Sequence, residues 1–257
     1  MFSHEGTSRS DRQNRILAGV LALVAGYSNS CAFLLIGVFT SHVTGNVGRL
    51  ADDAARSDFA AALSALSLVF SFFLGAFIVT MILETRALGH VSRGYASALA
   101  LESALLVAFT IASSETRGAG PRIHDAEGVL VCVAMGIQNG LVTRLSGAVV
   151  RTTHLTGVLT DLAIEGARWL RYVRRMLSTR IRVPLVVGPN APERPVSAKV
   201  SLLVTIAASF FVGAVTGALA TVRVGHFAML FSAASVAACS LYALASGRAH
   251  VTRAGAR

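Results

Sequence analysis

The chain has little charge. Of its 257 residues only 14% are Asp, Glu, Lys or Arg, where a soluble globular protein carries about 25%. With 54% hydrophobic residues it lacks the polar surface to cover itself in water. A large soluble enzyme, a disordered chain and a disulfide scaffold are therefore disfavoured. Lysine is almost missing: Lys199 is the one lysine among 23 basic residues, a bias that fits a GC-rich bacterial genome. Cysteine is scarce too. Cys31, Cys132 and Cys239 all fall in apolar stretches, at spacings that suit neither a metal nor a disulfide. They read as buried, inert thiols. Four of the five prolines sit in one stretch, PLVVGPNAPERP, which predicts irregular chain there.

Signature motifs are missing as well. The chain has no GxxxxGK(S/T) phosphate loop, no GxSG serine motif, no HExxH and no dinucleotide fingerprint. ATP is not a predicted driver, and no cofactor or metal is predicted. No nucleophile–base pair can be named, so the chain is not expected to be an enzyme.

What is present is apolar length. A spanning helix needs about 20 apolar residues, and six such runs follow one another: Ile16–Phe39, Phe59–Leu83, Tyr95–Ala112, Gly128–Val150, Val200–Val222 and Phe227–Ala245. Backbone in hydrocarbon must satisfy its own hydrogen bonds, so each run is expected to be helical. The polar residues 1–15 read as a tail, because the run behind them is too long for a signal peptide. Net charge is +10. In a soluble protein that would suggest nucleic acid, but here it reads as loop charge that sets topology. With the N-terminus in the cytoplasm, only Arg49, Arg56, Arg117, Arg122 and Arg223 fall outside. Both termini, residues 1–15 and 246–257, are thus expected in the cytoplasm. The segment 168–199 is the one large soluble piece, and it opens with the basic amphipathic run RWLRYVRRML. Plain positive-inside topology and contact with anionic headgroups are both open readings of it.

The halves of the chain resemble each other. FTSHVTGNVGRLA at 39–51 matches VRTTHLTGVLTDLA at 150–163, so His42 pairs with His154, Thr44 with Thr156 and Gly45 with Gly157. Upstream, GYSN at 26–29 matches GIQN at 136–139. Downstream, SFFLGA at 71–76 matches SFFVGA at 209–214. Three spans per half is an odd number, so the second copy (128–245) should enter the membrane upside down relative to the first (16–112). Inverted repeats occur in secondary transporters, with the site near the midplane between the copies; a duplication kept only for folding is the other reading.

Each Ser/Thr-His-x-Thr-Gly motif precedes a weakly amphipathic stretch. Thr44 and Thr156 are N-cap candidates, and Gly45 and Gly157 permit close approach. If Thr44–Ala55 and Thr156–Leu170 are half-helices after spans one and four, their starts suit an anion or a carboxylate. Interfacial turns are the alternative. His42 and His154 are proton-step candidates or partners of nearby carbonyls. Asn29, Gln138 and Asn139 lie deep in spans one and four, as site residues or as glue between helices. Asn46 completes the first motif. Glu102 sits in the middle of span three, where a carboxylate costs a few kcal/mol unless protonated, paired or water-facing. It is the ion-coupling candidate. Asp161, Glu165 and Arg168 read as a solvated, salt-bridged face, and the GxxxG pairs Gly136/Gly140 and Gly213/Gly217 as close helix packing.

The order G-Y-S-N, S-H-V-T-G-N, F-F-x-G-A, G-x-Q-N, T-H-x-T-G resembles the YoaK family of bacterial membrane proteins over roughly residues 15 to 245. The likeness implies an integral inner-membrane protein with several helices and no assigned activity. The chain departs from the family pattern at Asn29, where an acid is common, at Val158 and in its long basic loop. The expectation is an all-α membrane protein with six transmembrane helices in a three-plus-three inverted repeat. It is expected to contact the lipid bilayer and to move a small solute, anionic solutes included. A scaffold or lipid-interacting protein working through the basic loop is the alternative.

Overall fold

The computed structural model describes residues 10–85, 91–115, 121–146, 153–181 and 197–254. Most of the N-terminal tail and the proline-rich stretch lie outside these. The described chain is all-helical: α1 (Asp11–Ile36), α2 (Val43–Ala55), α3 (Phe59–Thr85), α4 (Val91–Glu115), α5 (Pro121–Leu145), α6 (Leu155–Ile181), α7 (Ser197–Val224), a 3-10 turn at Gly225–Ala228, and α8 (Met229–Ala254).

Five continuous stretches are long and apolar enough to cross a membrane: Arg12–Ile36, Phe59–Thr85, Ser92–Ser114, Ala126–Leu145 and Ser197–Ala245. The last runs through α7, the turn and α8. The expected runs Phe59–Leu83, Tyr95–Ala112 and Val200–Val222 lie within α3, α4 and α7; the run from Ile16 passes the end of α1, the run from Gly128 passes the end of α5 and closes outside the described residues, and the run from Phe227 begins in the 3-10 turn. Phenylalanines 70, 73, 77, 211, 227 and 231 are exposed on α3, α7, the turn and α8, as a chain in contact with lipid requires. The fold is that of an integral membrane protein with multiple spans.

Some boundaries differ from expectation. α1 begins earlier because Ser10 and Gln13 form a capping box: Gln13 N donates to Ser10 Oγ at 3.3 Å and Ser10 N to Gln13 Oε1 at 3.1 Å. It stops before Phe39 because Gly37 adopts φ 73° and its N–H bonds Phe33 O at 2.9 Å. The RWLRYVRRML run does not open a loop. It continues α6 to Ile181, since arginine is a good helix former.

Three long pairings build the bundle. α1 packs on α7, α3 on α5 and α4 on α8. At the first crossing a methyl added to Gly26 would strike the Phe210 carbonyl, and one added to Gly213 would strike Leu23 O. At the second, the same holds for Gly136 against Phe72 O and Gly75 against Val133 O. Only glycine admits backbones that close.

Contacts along each pair give the helix directions. Arg15 Nη1 donates to Ser201 Oγ at 2.9 Å and Cys31 Sγ to Gly217 O at 3.5 Å, so α1 and α7 run parallel. Leu68 crowds Gly128, and Arg144 bridges Glu84 at 3.0 Å, so α3 and α5 run parallel. Ser103 Oγ donates to Ala233 O at 2.8 Å and Ser240 Oγ to Ala96 O at 2.7 Å, so α4 and α8 run antiparallel. Ile36 and Ser113 meet α5 at Gly128 and Glu127, while Ser28 and Ser103 meet α8 at Ser232 and Ala233. α1 therefore runs parallel to α4.

Candidate functional site

Beyond Gly37 the chain turns back along α1. Phe39 stacks on Phe33 with ring centroids 4.1 Å apart and planes at 9°. One turn deeper, Ser41 donates to Asn29 Oδ1 from its hydroxyl at 3.2 Å and its backbone N–H at 3.4 Å. After α5 the same kind of bond recurs: Thr153 Oγ1 donates to Asn139 Oδ1 at 2.9 Å. Asn139 Nδ2 also donates to Met135 O, one turn back in its own helix, at 3.0 Å. Both asparagines are half-buried. Each is the acceptor that holds the hydroxyl residue just before a histidine.

The histidines then fold over the helix starts. The His42 ring lies where a Gly45 side chain would be, and the His154 ring where a Gly157 side chain would be. A methyl at either glycine would meet Nδ1 of its histidine. His42, not Thr44, occupies the N-cap of α2, and its side chain makes no cap bond. This corrects the N-cap assignment. Thr44 lies in the first turn, with Oγ1 3.3 Å from His42 Nε2. Likewise Thr156 falls inside α6, whose first residue is Leu155. His42, Thr44, Gly45, His154 and Thr156 are exposed, and Gly157 is half-buried. Asn46 is buried and donates from Nδ2 to Phe39 O at 3.4 Å, pinning the returning strand. Its counterpart Val158 is buried without polar duty.

α2 packs on α3 and α6 on α7, so the two histidine corners belong to separate interfaces. The salt-bridged face of α6 is present, with Asp161 half exposed, but one acid differs from expectation. Glu165 is not solvated but 3% exposed, and it bridges Arg168 at 3.0 Å and Lys199 of α7 at 3.2 Å.

Two candidates stand apart from these corners. Glu102 of α4 and Gln138 of α5 are both 0% exposed, and neither oxygen of Glu102 nor either polar atom of Gln138 has a hydrogen-bond partner. An unmet buried polar group costs about 1–3 kcal/mol, and more when charged. The hydroxyl of Thr40, 1% exposed beside the first corner, is unmet as well. The serine beside Asn29 behaves differently: Ser28 Oγ bonds Ser232 Oγ at 2.7 Å.

Ser41 and Thr153 are the hydrogen-bonding partners at these corners that sequence reasoning left out. The signal was available, since both precede the histidine in matched motifs. The three cysteines are free, with Cys31 and Cys132 buried. The GxxxG glycines lie at the close crossings as expected.

Residues 17–242 match the family described as "Protein of unknown function (DUF1275)". The chain is also 30% identical over 147 residues to the UPF0700 transmembrane protein YoaK of Bacillus subtilis (strain 168). That match covers 57% of this chain and 64% of the relative. No solved structure matches. The resemblance to the YoaK family read from the motifs is borne out.

Proposed function

This chain belongs to the DUF1275 family of proteins of unknown function, and from that premise we propose that it is a secondary transporter of a small, anionic solute. It works by alternating access between two inverted three-span repeats, in a bacterial inner membrane with both termini in the cytoplasm. α2 and the first part of α6 are its half-helices.

The observation that carries this reading is the pair of hydroxyl ties at Asn29 and Asn139, and their depth. Ser41 sits level with Asn29, seven residues or about 10 Å back from the end of α1 at 1.5 Å per residue. Ile36 and Leu68 both crowd Gly128, and α3 begins nine residues, about 13 Å, beyond Leu68. α2 therefore starts roughly 24 Å below the start of α3, in a hydrocarbon layer about 30 Å thick. Its 13 residues, about 20 Å of rise, return the chain towards α3. On the other side, Glu165 contacts Lys199, the third residue of α7. α6 begins ten residues earlier, so it starts about 15 Å inside that end.

The two starts share nearly one depth. Asn29 is seven residues from Ile36 and Asn139 eleven from Gly128, and those ends touch, so the ties differ by about 6 Å. Helices that start at nearly one depth, each with its positive dipole end there, suit an anion.

The repeat itself is supported by direction. Matched helices α1 and α5, α3 and α7, and α4 and α8 run antiparallel, and the crossing of α1 on α7 answers that of α5 on α3. The bonds Ser103–Ala233 and Ser240–Ala96 exchange under the same operation.

The test is flux. Purified protein in phosphatidylcholine liposomes is given radiolabelled carboxylates, phosphates and, as controls, amines. Saturable uptake of at least one anion, lost in Asn139→Leu, is the expected result. Uptake of none by folded protein would sink the transporter reading.

A second reading has its own observation. From Gly166 to Leu177 α6 is largely exposed. At 100° per residue, Trp169, Leu170, Val173, Met176 and Leu177 share one arc, and Arg168, Arg171, Arg174 and Arg175 the opposite one. Such a segment suits an anionic headgroup layer. That role predicts that function depends on Arg171, Arg174 and Arg175 and tolerates His154→Ala.

A further inference from the structure

We propose that Glu102 and Gln138 are the two walls of one site that takes a single exchangeable positive charge, either a proton or a small monovalent cation. The inference rests on the transporter reading, and supplies the coupling step that reading leaves open.

Three observations carry it. Both side chains are 0% exposed, and all four of their polar atoms lack a partner. Protein interiors rarely leave one such group, and two on packed neighbours indicate something to be received. Next, helical geometry sets them on the facing sides of α4 and α5. Ser113 Oγ lies 3.4 Å from Glu127 Oε2 where α4 and α5 meet. Glu102 is eleven residues before Ser113, and Gln138 eleven after Glu127. Eleven residues make three turns and about 20°, so both return to the face of that contact, about 16 Å deeper. Finally, that depth is where the half-helices start, since Gln138 adjoins Asn139.

The charge argument selects the occupant. A carboxylate at this depth needs a positive partner or a proton. Among the described side chains, the titratable neighbours on the elements packed against α4 do not supply a fixed one. On α8, Cys239 is in electrostatic contact with Glu102 but brings no positive charge. On α5, Cys132 is a thiol and Glu127 an acid three turns away. The one carboxylate of α3, Glu84, pairs with Arg144 at the helix end. The 3-10 turn brings His226, which is buried and has an interaction of its own. The missing charge is therefore mobile: Glu102 takes up a proton, or exchanges it for a cation that the Gln138 carbonyl oxygen helps to hold. Inward movement of an anion with this charge would be electrically balanced.

Full-length protein in phosphatidylcholine liposomes tests the site with dicyclohexylcarbodiimide, an apolar reagent that modifies protonated carboxyls. Peptide mass mapping reads modification at Glu102 from acid to alkaline pH, with sodium, potassium or methylammonium chloride at equal ionic strength. The expected rate falls about tenfold per pH unit once the carboxyl is mostly ionised. Slowing by one of the salts assigns the charge to that cation; a rate that follows pH and ignores all three assigns it to the proton. Modification at one rate in every condition would overturn the site. So would none at all while the unfolded chain reacts. Gln138→Leu keeps the packing volume and is expected to move the pH midpoint or abolish salt protection, whereas a merely structural glutamine would change only the melting temperature. Uptake of solute with an inert Glu102 would refute this site and spare the transporter; a titrating Glu102 without any uptake would do the reverse.

Discussion

The segments after α1 and after α5 begin alike and end differently. In both, an asparagine one to two turns from the helix end holds a returning hydroxyl, and a histidine lies over a glycine. Then they diverge. α2 stops after 13 residues, and its charges pair within the helix, Arg49 with Asp53 at 3.5 Å and Arg56 with Asp52 at 3.0 Å. α6 runs for 27 residues, is tied to α7 through the buried Glu165, and carries its arginines past the end of that helix. The corner fixes where a helix starts; the sequence behind it decides how far the helix goes and what it meets.

The comparison breaks most visibly at the helix crossings that hold the two corners. Gly136→Val and Gly213→Val each drive a side chain into a facing backbone. Both should cost about 3 kcal/mol or more and be read as a large loss of folded protein in thermal melts. If one is tolerated and the other not, the crossings are not equivalent.

The corners come next. Asn139→Ala removes bonds of 2.9 and 3.0 Å and Asn29→Ala two longer ones. Bonds between spans average about 0.6 kcal/mol with a maximum near 1.7, so each variant should lose about that much in a melt. Glu165→Gln belongs in the same range or slightly above, about 1–3 kcal/mol, because its partner charges converge on a buried acid. Asp52→Asn, at an exposed ion pair of α2, should cost only a few tenths.

The sharpest test is a rescue. Gly45→Ala and Gly157→Ala push on a histidine ring, the free end of a side chain that can yield. Each should cost about 1 kcal/mol, and His42→Ala or His154→Ala should return most of it in the double variant. Without that rescue, ring and glycine are not coupled.

The residues explain how much was legible in advance. The spans were, because apolar length follows from composition alone. The paired corners were, because a short pattern recurs in the sequence. The ties that Ser41 and Thr153 make to the asparagines were not, since the bonds join residues 12 and 14 apart in sequence. The cap residue was misassigned because a threonine hydroxyl suits the position chemically, while the turn after Gly37 delivers His42 there instead. Glu165 looked solvated because Lys199 lies 34 residues away in sequence. The arginines of α6 looked like loop charge because topology alone accounts for them.

The central claim is that the two half-helices open towards opposite faces of the bilayer, and sided labelling tests it most directly. Single cysteines at Ser57, between α2 and α3, and at Leu177, far along α6, are placed in a chain whose native cysteines are replaced. A membrane-impermeant maleimide is then added to sealed vesicles of each orientation. The account predicts that Ser57→Cys reacts in one orientation and Leu177→Cys only in the other. Reaction of both from the same face would contradict it.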